Sequence, residues 1–138
     1  MASSAETTYT APLFQPGRNI GVAEIDWLAA SGGAILPITT TDPIIGWIER
    51  IDTIPGAVHP TDAYDITLSN EDGVDVSGGE LANRSSAVAQ MITPKVGNEY
   101  GDVFVNQKLT FAASGNSVTN AVGTVKFYFR PHKQGMGR

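Results

Sequence analysis

Residues 64–86 read YDITLSNEDGVDVSGGELANRSS. Tyr64, Ile66 and Leu68 alternate with Asp65 and Thr67, the period of two that a strand with one buried face requires. The next residues, SNEDG, supply Asn, Asp and Gly, which tolerate positive φ and hydrogen-bond their own backbone, so a tight turn follows. VDV then resumes the strand pattern. Strand, turn and strand within thirteen residues sets the expectation of an all-β chain. Five carboxylates (Asp65, Glu71, Asp72, Asp75 and Glu80) crowd around three glycines, so a calcium loop or an acidic active site must be weighed against a wet turn.

A calcium loop of the EF-hand type needs oxygen ligands at positions 1, 3 and 5, glycine at 6 and a bidentate Glu at 12. With Gly73 at position 6, Asp72 and Asn70 fall at 5 and 3, but Leu68 stands at 1 and Gly79 at 12. Two essential ligands are missing. The acids therefore read as solvated tips of a hairpin, with no metal, although irregular calcium binding at the turn stays open.

The same pattern extends outward. In TVKFYF, Val125, Phe127 and Phe129 share one parity, while Thr124, Lys126 and Tyr128 take the other. IGWIERIDTI is mixed: Ile45, Trp47 and Ile51 share a parity that Glu49 interrupts, and Ile44, Ile48 and Ile54 hold the other. A strand buried on both faces, or one bent by a bulge at Gly46, gives such a pattern. KLTF and DVFV are shorter candidates. Pro-Gly, Gly-Gly and Gly-Asn pairs punctuate these runs, and only ELANRSSAVAQMI has some helical spacing, with Leu81, Val88 and Ile92 on one face. The expected fold is a β-sandwich or jelly roll of about eight antiparallel strands, which hides its sheet edges.

Three segments are expected: an extended N-terminal arm over 1–18, a β-sandwich domain over 19–130, and a flexible basic tail over 131–138. The arm is polar and carries only Tyr9, Leu13 and Phe14 as apolar anchors. It either packs back on the sandwich or orders across a neighbour. Tyr9, Leu13, Phe14 and Arg18 are the expected contact residues.

Composition narrows the functions. The chain has 138 residues and a net charge of −5, with nine scattered Lys and Arg, which argues against nucleic acid as the main partner. It has no cysteine, so thiolate metal sites and disulfides are absent. Its apolar runs are too short for a membrane helix, and its first residues lack a signal-peptide pattern, so a cytosolic product is expected. Neither His59, before Pro60, nor His132, in the tail, suits a nucleophile–base pair, and no phosphate-binding glycine loop occurs. Paired acids for glycoside hydrolysis remain open, although nothing singles out one pair. Asn83-Arg84-Ser85 is a glycosylation sequon by letter only. Trp27 and Trp47 sit in strand-like runs beside isoleucines, and core packing is their expected role rather than sugar stacking. No catalytic, cofactor-binding or metal-binding residue is expected.

Part of the chain resembles a group of small virion structural proteins of tailed bacteriophages. The similar features are the T-x-P-G turn at Thr53–Gly56, PTDAYDITL at Pro60–Leu68, the D-G-x-D turn at Asp72–Asp75, LANRS at Leu81–Ser85 and the closing GTVKFYFRP. The resemblance covers about half of the chain and carries architecture better than role. It implies a capsid decoration (cement) protein: a homotrimer on the outside of the virion that bridges major capsid subunits. The alternative is a tail or fibre module that binds a host surface glycan, with Trp27 or Trp47 as its platform. The long polar N-terminus and the basic tail match nothing in the group.

Overall fold

The computed structural model describes residues 5–13 and 20–131. Eleven strands run through them: β1 (Glu6–Leu13), β2 (Gly21–Leu28), β3 (Ile38–Thr39), β4 (Ile44–Pro55), β5 (Asp65–Ser69), β6 (Gln90–Ile92), β7 (Lys95–Val96), β8 (Glu99–Tyr100), β9 (Val103–Gln107), β10 (Thr110–Ser114) and β11 (Val122–Pro131). Every pairing is antiparallel, and no helix forms among the described residues. The chain is all-β. Four of the strands (β3, β6, β7 and β8) are only two or three residues long, and in the sequence they look like punctuation.

The larger sheet runs β1-β2-β11-β4, and β6 and β9 share the far edge of β4. β9 pairs with Ile44–Ile48 and β6 with Ile51–Thr53, so the β7–β8 hairpin is an excursion between them. This sheet curls into a half-barrel. The smaller sheet is β3-β10-β5. One core lies between the two: Ile25 and Trp27 from β2, Ile48 and Ile51 from β4 and Phe127 and Phe129 from β11 belong to the same buried cluster as Ile66, Leu68 and Phe111 of the small sheet. Trp27 meets Tyr64 edge-on, with ring centroids 5.7 Å apart, and both are buried.

The clean alternations hold. Tyr64, Ile66 and Leu68 are buried, as are Val125, Phe127 and Phe129. β4 resolves its mixed parity in another way than a bend at Gly46. Tyr128 faces Arg50 and the next residue, Phe129, faces Ile48, so Glu49 is the extra residue of a bulge. Ile44 and Ile48 point inward before it, and Ile51 and Thr53 after it. Gly46 serves close approach instead, since a Cβ there would overlap the carbonyl oxygen of Arg130.

The segment expected as an arm enters the sheet early: residues 6–13 form β1, with Tyr9 paired to Ile25 and packed against the core. ELANRSSAVAQMI is not helical. Leu81 is buried and Val88 exposed, and only Gln90–Ile92 is regular. Of the expected tail over 131–138, Pro131 instead closes β11, and residues 132–138 lie outside the described residues.

Candidate interaction surface

Three of the five acids of the opening stretch hold backbone. Asp75 accepts hydrogen bonds from the amides of Leu68, Ser77 and Gly79 and from the Ser77 hydroxyl, at 2.9–3.2 Å. Asp65 accepts from the amide of Asn83 at 2.9 Å, and Glu71 from that of Lys108 at 3.1 Å. The turn is the one its letters demand: Gly73, at φ 82°, donates its amide to the Asn70 carbonyl, and the Asn70 side chain accepts from Asp72 and Val74. Asp65, Glu71 and Asp75 are latches between loops rather than the solvated tips expected, whereas Asp72 does stand exposed at the turn. Among the described residues no group of three or more His, Asp or Glu side chains is placed to hold a metal ion.

His59 is exposed, and His132 lies outside the described residues. The fold does bring acids together on β2. Glu24 and Asp26 share the outer face of β2, and the hydrogen bond that a protonated Glu24 donates to Asp26, followed by burial, raises the Glu24 carboxyl above its ordinary range. Lys126 stands 4.0 Å from Glu24, and the Thr124 hydroxyl donates to Asp26 at 2.7 Å. Asp26 and Glu6 line an open hollow of about 370 Å³ whose floor includes Gly56 and Gly123.

Two other features lie together at one end of the large sheet. The first is a groove of about 320 Å³ lined by Tyr9, Pro12, Pro43, Ile44, Ile45, Phe129 and Pro131, with Asp42 on its wall. Burial, and then the nearby Asp42 charge, raise the Tyr9 hydroxyl above its usual range. Of the four expected contact residues, Tyr9 reaches this groove. Leu13 ends β1, paired with Val22, while Phe14 and Arg18 lie outside the described residues.

The second feature begins two residues along β4 from Ile45. Trp47 is 39% exposed and Phe104, its partner on β9, is 41% exposed. Their rings are 5.1 Å apart and tilted at 58°. Arg130 sits 6.0 Å over Trp47 and is held by Glu49 and by Asp102, the latter at 2.6 Å. Next to it Arg50 lies 4.5 Å over the Tyr128 ring and binds both oxygens of Asp52 at 2.9 Å. Those carboxylate bonds strengthen the hold of both guanidinium groups on their protons.

Trp27 and Trp47 therefore part company. Trp27 is 2% exposed and meets the core expectation, whereas the bulge at Glu49 turns Trp47 outward. The sequence did carry a signal for this: Ile48 and Ile51, both apolar, stand three apart around a charged Glu49-Arg50 pair, a spacing no regular strand buries. Comparison with protein-family models, with curated proteins and with solved structures gives no match, so the functional argument rests on this geometry.

Proposed function

We propose that the chain is a bacteriophage capsid decoration protein. It binds the outer shell as a homotrimer, bridges neighbouring major capsid subunits and stabilises the head, with no residue acting as a catalyst and no cofactor, nucleic acid or membrane involved. It is made in the host cytoplasm and ends on the capsid surface. In this reading the two sheets are a jelly-roll-type sandwich of about eight principal strands, and the short strands are embellishments.

The observation that supports it is the contiguity of the Tyr9 groove with the exposed face of Trp47 and Phe104, through Ile45 and through Arg130 and Pro131. An apolar and aromatic surface on a hydrogen-bonded sheet suits adhesion to a folded partner, because little order has to be gained on binding. Three copies acting together raise the strength of modest contacts by roughly 10²–10⁴. The groove is the part assigned to the shell. Asp42 makes no ion pair among the described residues, so a basic group of a capsid subunit would complete it.

Co-sedimentation with undecorated heads of the encoding phage tests the proposal. The full chain pellets with heads, Ile45→Asp in the groove wall does not, and Asp26→Asn in the acidic hollow pellets normally. A full chain that stays in the supernatant ends the proposal. The exposure of Trp47 also favours the second reading, a tail or fibre module that stacks a host glycan. That reading predicts a change in Trp47 emission with host surface glycan and none with heads.

A further inference from the structure

We infer that the Trp47–Phe104 face is the docking surface for a second copy of this chain. The inference deepens the homotrimer part of the proposed function and stands without the virion part. Trp47 and Phe104 are directly opposed on paired strands, in a stretch of regular β-ladder that fixes both backbones. Large, rigid aromatic side chains next to arginine are the composition of interface hot spots.

The charges around them select the partner. Arg130 is held by Glu49 and Asp102, and Arg50 by Asp52, so among the described residues three carboxylates face two guanidinium groups and the local net charge is −1. The whole chain carries −5. Two acidic copies repel one another over most of their surface, and least where each charge already has a partner in its own chain. A polyanion or a polycation would have to break those pairs, leaving charges uncompensated as they are buried. A copy of the same near-neutral face brings no such demand. Arg130 retains a carboxylate even if one of its two is exchanged across the contact. The Tyr9 groove is different in kind, because its Asp42 has no ion-pair partner among the described residues.

Light scattering on the full chain and on Phe104→Asp tests the inference. The full chain is expected to give a multiple of 14.6 kDa, three-fold if the homotrimer holds, and to keep it in ~0.5 M salt, where exposed ionic contacts are screened. Phe104→Asp is expected to raise the dissociation constant roughly thirty-fold or more, the effect of removing a hot-spot side chain, with an unchanged far-ultraviolet spectrum. In a Trp27→Phe background the remaining Trp47 emission shifts to the blue as concentration rises. A full chain that remains 14.6 kDa at on the order of 100 µM overturns the inference. So does a Phe104→Asp chain of unchanged mass. Loss of head binding by a Phe104→Asp chain that assembles normally would assign the face to the shell, which sinks this inference and leaves the decoration reading standing. A chain that assembles through this face and never binds heads does the reverse.

Discussion

Asp75 works for the fold through the same oxygens that would have served a ligand. Its carboxylate joins the end of β5 to the Ser77–Gly79 turn, so three amides and a hydroxyl depend on it. Asp75→Ala would strand those donors and should cost about 1–3 kcal/mol, read from the urea midpoint; an unchanged midpoint would show the latch to be idle. Millimolar calcium should leave the wild-type midpoint where it is. The missing ligands at Leu68 and Gly79 speak against an EF-hand loop in the sequence, which could not say which amides the acids would meet, because Leu68 and Lys108 reach them only after folding. Tyr64 gives a second test at this scale. Burial raises its hydroxyl from 10.0 to about 12, so the folded state keeps the proton that the unfolded chain releases first. Stability is therefore whole below pH 10 and declines as the pH climbs toward about 12. Tyr64→Phe should flatten that part of the alkaline unfolding curve, and a persisting decline would point to other groups.

At the scale of elements, the strands with one clean parity were legible and β4 was only half so. β5 and β11 need nothing but their alternation, since one face meets the core along their whole length. β4 changes phase at Glu49, and the site of that change is fixed by its neighbours: β11 on one side, and β9 and β6 with the hairpin between them on the other. That non-local choice also decides the candidate site, because it turns Trp47 out while Ile51 stays in. Deleting Glu49 removes the extra residue, so Ile48 and Ile51 come to stand two apart and a regular ladder against β11 keeps both halves of β4 on their present faces. The expected result is a folded protein that melts within a few degrees of wild type, with Arg130 left to Asp102 alone of its two carboxylates. Loss of soluble, folded protein on deletion would mean that the bulge itself is needed to seat β4 between its neighbours. The Leu81–Ile92 stretch failed for the opposite reason. Its apparent helical spacing is opposed by side-chain acceptors, Asp65 to Asn83 and Asp62 to Ser86, that fix it as loop.

For the whole molecule, the decisive fact is that a single core serves both sheets, with Trp27 and Tyr64 in contact at its centre. Neither sheet can bury its inner face alone, so unfolding should be all-or-none. The polar, anchor-poor segment 1–18 left two expectations open, packing back on the sandwich or ordering across a neighbour, because composition alone carries no information about strand pairing. Over residues 6–13 it is the edge strand of the large sheet, paired from Glu6–Leu28 to Leu13–Val22, with Tyr9 against the core. Removing residues 2–13 opens the edge of β2 and uncovers part of the buried face around Ile25. The ladder hydrogen bonds and the apolar area lost together cost on the order of several kcal/mol. Because the core is shared, the loss cannot stay local: Trp27 fluorescence, measured with Trp47→Phe, and far-ultraviolet circular dichroism should move together to a lower urea midpoint. A truncated chain that keeps the wild-type midpoint would return the segment to the role of an arm. A lower midpoint in one signal only would split the core that both sheets are held to share.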